Sequence, residues 1–346
     1  MMFDNLKYVL VKVNNKLIPI FEVSHLSIEK PASKKMYLSP WFLFNAHFET
    51  IYPSLFRKVK LQEYQRERIA TPDNDFLDLY WLKQNSKKLI VISHGLEGNA
   101  HRTYIKGMAK FFFRKNFDVL AWNYRGCGEE MNKALRFYHS GATDDLACVV
   151  DHAVAKNYDT IFLIGFSLGG NLTLKYAGER KLSSHIKGIT TFSVPLDLHA
   201  SSIQLSRPSN WVYANRFLKS LKKKVKAKSK AMPGLDVAGL ESIKQLHDFD
   251  DRYTGPLHGF KNAIDYYHQC SAIGFLENIK VPTLIVNALN DPFLSRECFP
   301  DGIKNQFVQL EFPERGGHVG FARFGANGVY WSEQRALDFI KPLCHD

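Results

Sequence analysis

The sequence contains no apolar run that could cross a membrane. No stretch of the 346 residues approaches the roughly 18 apolar residues that a transmembrane helix needs. The first residues, Met1 to Lys7, also lack the basic region and apolar stretch of a secretory signal. We therefore expect a cytoplasmic protein that does not span a membrane, while a peripheral membrane contact stays open.

Motifs for metal ions and nucleotides are also missing. There is no HExxH and no GxxxxGK(S/T), and Gly126-Cys127-Gly128 lacks the third glycine of a dinucleotide-binding loop. Asp144, Asp145 and Asp151 lie close together on a helical pattern, which favours a solvated helix start over a cation site. The sequence therefore predicts no metal site and no cofactor.

Cysteine is scarce and shows no pattern. The five cysteines have no CxxC spacing, and their odd number leaves one over in any pairing: Cys127, Cys148, Cys270, Cys298 and Cys344. We expect free thiols in a reducing compartment. With 45% hydrophobic residues, the chain can bury one full core and requires no second one.

The chain carries an alternation of strand and helix patterns over most of its length. Segments with strand patterns occur at 61–70, 76–82, 89–93, 118–123, 160–164, 188–195, 281–286 and 307–312. Helical patterns lie between or after them at 103–114, 143–156, 168–177 and 329–339. This predicts an α/β fold whose mostly parallel sheet has helices on both faces and begins with antiparallel strands.

Two regions break the alternation. Within residues 1–35, two apolar runs flank Asn14-Asn15, which predicts a β-hairpin in an N-terminal extension. Between about 196 and 278 the strand and helix rhythm stops, and we expect an inserted cap over the carboxyl ends of the strands. Residues 36–346 would then form one domain that includes this cap.

The cap region contains the strongest charge feature of a chain whose formal net charge is +12. Arg216–Lys230 holds eight cations and no acid, with Phe217, Leu218, Leu221 and Val225 on one helical face. We favour a solvated cap helix with its apolar stripe on the fold, and the alternatives are a surface for anionic lipid and a nucleic-acid contact. Lipid ranks above nucleic acid, because no nucleic-acid-binding module accompanies the segment.

The most informative motif is Gly165-Phe166-Ser167-Leu168-Gly169, which follows a strand pattern and precedes a helical one. A serine hydroxyl becomes a nucleophile only when it is held clear of its backbone and beside a base. A tight strand-to-helix turn does this if its neighbours lack bulk, and Gly165 and Gly169 supply that room. The pattern predicts a nucleophile elbow at Ser167, and the alternative is a serine in an ordinary glycine-rich turn.

A nucleophilic serine needs a histidine as base and an acid that orients the histidine, in the order serine, acid, histidine. Asp291 follows the apolar run that starts at Val281, where a strand's carboxyl end would present it, although Asn-Asp-Pro is also common turn chemistry. His318 lies in the loop after the strand pattern at 307–312, with glycines before and after it in that loop. We therefore predict Asp291 as the acid and His318 as the base.

Two backbone N–H groups normally stabilise the oxyanion of the tetrahedral intermediate, one after the nucleophile and one after an earlier strand. The loop Gly95–Asn99 follows such a strand, so we predict the amides of Leu96 and Leu168 as donors. His94 precedes this loop, where it could be a second base or, as we favour, a packed histidine at the strand end.

Five further short motifs occur in order along the chain, at Asn45–Ile51, His94–Gly98, Asn123–Cys127, Tyr138–Gly141 and Tyr253–Phe260. With the elbow, acid and base they resemble the YheT-like branch of the α/β-hydrolases, from about Trp41 to the C-terminus. The resemblance implies an α/β-hydrolase fold and an esterase-type serine hydrolase, with eukaryotic relatives that act on medium-chain esters and phospholipids.

The sequence thus predicts a serine carboxylesterase that cleaves short-chain, medium-chain or lipid esters through an acyl-enzyme. Two alternatives stay open. A dry cap could favour acyl transfer to an alcohol, or the fold could be catalytically idle and serve as a membrane-associated binding protein. The expected partner is an acyl ester, with no specific nucleic acid, and a peripheral contact with anionic lipid at Arg216–Lys230 stays open as an alternative.

Overall fold

The fold is described from a computed structural model of the chain. It covers the backbone of β1 (Tyr8–Val13) and β2 (Lys16–Phe21), and residues 37–232, 234–325 and 327–344. The chain divides into two compact units, Met1–Met36 and Tyr37–Asp346. In the first unit β1 and β2 pair antiparallel, in the two runs from which a hairpin was predicted, and Asn14-Asn15 between them lies outside the described residues.

The described part of the second unit contains an eight-stranded sheet. Its strands are β3 (Gln65–Ala70), β4 (Phe76–Leu82), β5 (Lys88–Ser93), β6 (Asp118–Asn123), β7 (Thr160–Phe166), β8 (Ile186–Phe192), β9 (Thr283–Val286) and β10 (Val308–Glu311). Their spatial order is β10-β9-β8-β7-β5-β6-β4-β3. The β3–β4 and β4–β6 pairs are antiparallel and the other five pairs are parallel, which confirms the predicted mostly parallel sheet with an antiparallel start.

Helices cover both faces of this sheet. Outside the stretch between β8 and β9 they are α1 (Ala46–Phe56), α2 (Thr103–Phe113), α3 (Thr143–Val154), α4 (Leu168–Glu179) and α10 (Trp331–Ile340), with 3-10 turns at Arg296–Cys298 and Lys341–Cys344. Alternate residues of β7 serve the two faces. Ile161 and Leu163 pack in the apolar cluster that includes α3 and α4, whereas Phe162 and Ile164 pack with α2 and α10. Such two-sided burial explains why the central strands are apolar throughout.

Between β8 and β9 the chain forms a helical insertion, residues 193–282, which contains the stretch predicted as a cap. It consists of α5 (Leu198–Leu205), α6 (Trp211–Ala231), α7 (Leu246–Phe249), a π-helical turn (Asp250–Thr254), α8 (Gly255–Leu257) and α9 (Ala263–Cys270), with 3-10 turns at Pro208–Asn210, Leu240–Ser242 and Ala272–Asn278. Leu218 and Val225 of α6 pack with Leu246 and Phe249 in an apolar cluster of its own. Every helix in the described residues is too short or too polar to span a bilayer.

Candidate active site

Ser167 occupies a sharp turn between β7 and α4. Its backbone has φ 53° and ψ −123°, a conformation that non-glycine residues rarely adopt and that is found mainly at functional sites. The flanking glycines make the turn possible, because a Cβ atom on Gly165 would lie 2.5 Å from the carbonyl oxygen of Gly169. A Cβ atom on Gly169 would overlap the carbonyl oxygen of His94. The serine is therefore presented above the carboxyl end of β7 as the sequence predicts.

The three predicted site residues form one chain of hydrogen bonds. Nε2 of His318 lies 2.9 Å from Oγ of Ser167, and Nδ1 of His318 lies 2.8 Å from Oδ2 of Asp291. The Asp291 side chain is fully buried and that of His318 is 10% exposed. With Nδ1–H donating to the carboxylate, Nε2 is free to accept the serine proton.

Two local contacts fix the acid and the ring. Asp291 Oδ1 accepts a hydrogen bond from the backbone N–H of Phe293 at 2.9 Å. The Phe293 ring stacks on the His318 imidazole, with centroids 4.1 Å apart. The Asn-Asp-Pro sequence therefore does form a turn, and this turn directs the Asp291 carboxylate at His318.

The loop that carries His318 is anchored by residues that sequence analysis missed. Glu49 of α1 is 1% exposed, and its Oε2 accepts hydrogen bonds from the Gly316 N–H at 3.1 Å and from the Asn290 amide at 2.6 Å. Oγ1 of Thr50 accepts from the His318 N–H at 2.9 Å. Glu49 and Thr50 lie in the motif Asn45–Ile51, which was the sequence feature that could have indicated them. Their partners lie more than half of the chain away, so the sequence did not show these contacts.

The two predicted oxyanion donors lie in the same cavity as Ser167. Neither the Leu96 N–H nor the Leu168 N–H has a hydrogen-bond acceptor among the described residues. The backbone at Gly95, next to Leu96, lies close to the serine. A Cβ atom on Gly95 would be 3.1 Å from the Ser167 Cβ. Leu96 and Leu168 thus line the cavity that contains Ser167, and their N–H groups have no hydrogen-bond acceptor among the described residues.

His94 is a packed residue rather than a second base. It is fully buried, its Nδ1 lies 2.8 Å from the Gly95 carbonyl oxygen, and its Nε2 accepts from the Tyr124 N–H at 3.4 Å. Burial lowers the pKa of the imidazole to about 3, so the ring stays neutral. Both ring nitrogens are thus engaged away from Ser167, as the favoured interpretation required.

Two cavities meet at Ser167 and His318. The first has about 840 Å³ of empty space, including its open mouth, and is walled largely by the insertion through Leu198, Leu205, Phe217, Leu221 and Leu246. The second is a wider groove of about 1400 Å³, also open to solvent, on the side of α1 and α2. Its lining includes three arginines, Arg57, Arg102 and Arg216. Ser167 and His318 thus lie between a cavity walled largely by apolar side chains and a groove whose lining includes Arg102 and Arg216, while Arg57 pairs with Glu333.

The basic run of α6 is less exposed than its sequence suggests. The Lys228 side chain is 1% exposed, with Nζ 2.8 Å from Oδ1 of Asn132 and 2.6 Å from the Ala134 carbonyl oxygen. Burial lowers the pKa of Lys228 to about 8. Lys224 is also largely covered, and its Nζ lies 2.6 Å from Oε1 of Glu97. The exposed cations of the run are Arg216, Lys219, Lys223, Lys226 and Lys230.

The prediction of a solvated helix start at Asp144 and Asp145 is wrong for Asp145. Asp144 is exposed and pairs with Arg136, but Asp145 is buried and accepts from Arg125 at 2.7 Å. The physical reason is that the Arg125 guanidinium is itself buried and needs carboxylate partners, which Asp145 and Asp75 supply. In the described residues, no group of three histidine, cysteine or acidic side chains could hold a metal ion.

Comparison with known proteins identifies the family. The model of the Hydrolase_4 family, described as serine aminopeptidase S33, matches residues 84–299. YheT of Escherichia coli K12, which carries the name of an esterase, is 33% identical over 310 residues, covering 86% of this chain and 90% of that protein. The chain belongs to this hydrolase family, in its YheT-like branch.

Other relatives of this YheT-like α/β-hydrolase agree with its fold. Phospholipase ABHD3 of Bos taurus is 27% identical over 305 residues, which covers 84% of this chain and 74% of that protein. A solved structure of the Pyrococcus furiosus esterase Pf2001 superposes with a TM-score of 0.55 at 18% identity, over 81% of this chain and 91% of that one. The α/β-hydrolase fold is therefore confirmed, and the family includes proteins named as ester-cleaving enzymes.

Proposed function

We propose that the protein is a serine hydrolase that cleaves carboxylic acyl esters through an acyl-enzyme intermediate. The observation that carries this proposal is the chain of hydrogen bonds from Ser167 through His318 to Asp291, built on a serine with φ 53°. A serine held in this way beside a base has few structural reasons to exist. The family membership supports the same reaction class.

In the proposed first step, Oγ of Ser167 attacks the acyl carbonyl carbon while Nε2 of His318 takes the hydroxyl proton. Asp291 holds the imidazole and stabilises its positive charge. The N–H groups of Leu96 and Leu168 donate to the oxyanion that forms on the carbonyl oxygen. Collapse of this intermediate breaks the ester C–O bond, and the imidazolium gives its proton to the leaving alcohol.

In the second step, His318 removes a proton from water, and the resulting hydroxide attacks the acyl carbon. The intermediate then expels Oγ of Ser167, which takes the proton back from the imidazolium, and the free acid leaves. Replacement of Ser167, His318 or Asp291 should lower mainly kcat, because these side chains stabilise the transition state.

The two cavities that meet at Ser167 fit different parts of an ester substrate. The apolar cavity walled by the insertion fits the acyl chain, and the groove with Arg102 and Arg216 fits the alcohol part. Guanidinium groups bind phosphate and carboxylate oxygens well, so an alcohol with an anionic group fits the groove. Lipid esters are therefore included in the proposed substrate class, together with short- and medium-chain esters.

A peripheral contact with anionic lipid belongs to the same proposal. Five cations of the Arg216–Lys230 run are exposed, and Arg216 also lines the groove that leads to Ser167. Attraction of such a cluster to an anionic surface would place the groove near lipid substrates. We propose a cytoplasmic enzyme that meets membranes at their surface.

The test is hydrolysis of p-nitrophenyl esters of increasing acyl length by the parent protein and by Ser167→Ala. The proposal expects turnover by the parent and a loss of about 10³-fold or more in the variant. Turnover that survives in Ser167→Ala would contradict it. Failure of the folded parent to hydrolyse any ester would favour a catalytically idle binding protein, and formation of a new ester in the presence of an added alcohol would show acyl transfer.

A further inference from the structure

The loop that carries the Leu96 amide contains a strained residue. Gly95 to Gly98 form a tight turn, closed by a hydrogen bond of 3.0 Å from the Gly98 N–H to the Gly95 carbonyl oxygen. Glu97 is the third residue of this turn and has φ 53°. That position favours glycine or asparagine, so a glutamate there must be held by other contacts.

Those contacts come to the Glu97 carboxylate from three side chains. Its Oε1 accepts from Nζ of Lys224 at 2.6 Å and from the Tyr138 hydroxyl at 2.8 Å, and its Oε2 accepts from the Ser220 hydroxyl. The Glu97 side chain is only 6% exposed. The Tyr138 hydroxyl also accepts from the Glu97 N–H at 2.9 Å, and Arg102 donates to the Glu97 carbonyl oxygen at 2.8 Å. The turn is thus fixed on several sides.

Two of the three carboxylate partners belong to the helical insertion. Ser220 and Lys224 are one turn apart on α6 and reach the same carboxylate. Burial opposes the charge of Lys224, but the Cys127 and Glu97 side chains outweigh it, so the pKa of Lys224 is raised and its ammonium group persists. Removal of one partner of this largely buried ion pair should perturb the turn, because the other charge is then left buried without compensation.

We propose that Lys224 and Ser220 are positioning residues, which act through Glu97 to hold the Leu96 N–H towards the reacting carbonyl at Ser167. The inference rests on the proposed function, because it assigns the Leu96 amide to the oxyanion. It makes the insertion part of the catalytic framework, since displacement of α6 would release the turn that bears the donor.

The same helix offers a control for simple loss of stability. Lys228, one turn after Lys224, is the more deeply buried of the two lysines. It binds Asn132 and the carbonyl oxygens of Ala134 and Arg136, and makes no hydrogen bond to residues 95–98. Lys228→Met therefore removes buried polar contacts of α6 and lowers stability, while the Lys224 and Ser220 contacts that hold Glu97 stay in place.

The experiment compares Lys224→Met, Glu97→Gln and Lys228→Met with the parent on a p-nitrophenyl ester and with a trifluoromethyl ketone. The ketone forms a tetrahedral oxyanion with a reactive serine and so reports the donor geometry. Lys224→Met and Glu97→Gln should lower kcat by about 10- to 100-fold, with a smaller change in KM and a parallel loss of ketone affinity. Lys228→Met should lower Tm but keep kcat and ketone affinity. Lys224→Arg should recover most of the rate.

Two further readouts separate a positioning role from a structural one. The double variant Glu97→Gln with Lys224→Met should be no slower than the slower single variant, because both remove one interaction. Hydrogen exchange of the Gly98 amide, which closes the turn, should accelerate in Lys224→Met and not in Lys228→Met.

The proposal is overturned if kcat and ketone affinity of Lys224→Met stay within about twofold of the parent, or if Lys228→Met loses both equally. If the parent itself hydrolyses no ester, the proposed function fails. Exchange of the Gly98 amide then still tests whether Lys224 holds the Gly95–Gly98 turn. Unchanged exchange of the Gly98 amide in Lys224→Met would then refute the link to the insertion.

Discussion

Oε2 of Glu49 accepts a hydrogen bond from the backbone N–H of Gly316, across 267 residues of sequence. Through this contact, α1 fixes the glycine-rich loop that presents His318. The Glu49 carboxylate also pairs with Arg315 at 3.0 Å and accepts from Asn290, which stands next to Asp291. One buried carboxylate therefore ties together the segments of the predicted base and acid.

Glu49→Ala should impair stability and catalysis together. Loss of the carboxylate leaves the buried Gly316 N–H without an acceptor, at a cost of about 1–3 kcal/mol in the free energy of unfolding. Because the His318 loop also loses its anchor, kcat should fall by about tenfold or more. Urea denaturation and ester kinetics measure the two effects. The exposed Glu314→Ala in the same loop is the control, and equal behaviour of both variants would refute the anchoring role.

Asp291→Asn tests the acid separately from turn formation. Asparagine keeps the shape of the side chain, but it leaves the imidazole without its anionic partner and favours the wrong tautomer. The esterase rate should fall by roughly 10³- to 10⁴-fold while the fold survives. Circular dichroism and kcat are the measurements. Asp301→Asn, at an exposed carboxylate that pairs with Arg296, should retain the parent rate, and a folded Asp291→Asn that does so as well would point to another acid.

Asp250 predicts a pH dependence of stability. It lies in the π-helical turn and lines the apolar cavity, where burial raises the pKa of its carboxyl to about 6 despite hydrogen bonds from Thr254 and Tyr267. The folded state therefore binds more protons than the unfolded state between about pH 4 and 6. The contribution of Asp250 to the free energy of unfolding should fall across this window as pH rises, by on the order of 2 kcal/mol.

The measurement is urea denaturation of the parent and Asp250→Asn at several pH values. Because the variant lacks the titrating carboxyl, its free energy of unfolding should increase relative to that of the parent from pH 4 to pH 6. The control is Asp248→Asn, which removes an exposed carboxyl of the preceding helix and should give a flat difference. A flat difference for Asp250→Asn as well would refute the assignment.

The basic helix is tested by removing only its exposed lysines. Lys219, Lys223, Lys226 and Lys230 are changed to Gln, while Lys224 and Lys228 are kept because both hold buried partners. If α6 meets anionic lipid, each exposed cation contributes about 1 kcal/mol near the surface, less as salt shortens the screening length. The variant should lose sedimentation with anionic vesicles at low salt and keep its rate on a small soluble ester.

A control with the same change in net charge uses four exposed lysines elsewhere: Lys87, Lys115, Lys181 and Lys304. This control should sediment like the parent if the contact is local to α6. Equal vesicle binding by all three proteins would leave the segment as a solvated helix, and equal loss in both variants would indicate only a general effect of net charge.

The sequence was sufficient for features that depend on local pattern. A central strand such as β7 is a continuous apolar run because both faces are buried, and the sharp turn at Ser167 needs glycines at positions 165 and 169. The meeting of Asp291 and His318 with Ser167 could be predicted because chain order and strand ends restrict where an acid and a base can lie.

The burial of individual charged side chains could not be predicted, because it depends on partners that are distant in sequence. The burial of Lys224 and Lys228 depends on Glu97 and on the carbonyl oxygens of the 134–136 loop, which lie about 90 to 130 positions away in sequence. A run of cations does not show which members have such partners, since each lysine looks alike in composition. For the same reason Asp145 was predicted as solvated, although it pairs with the buried Arg125.

Covalent labelling by a fluorophosphonate, with the modified residue located by mass spectrometry, shows whether Ser167 is an activated nucleophile. We predict one adduct, on Ser167, because the probe requires both an accessible hydroxyl and an adjacent base. Labelling should disappear in Ser167→Ala and slow strongly when His318 is replaced by alanine. An adduct on any other residue of the parent, or a folded parent that takes no label, would contradict the assignment of Ser167 as the nucleophile.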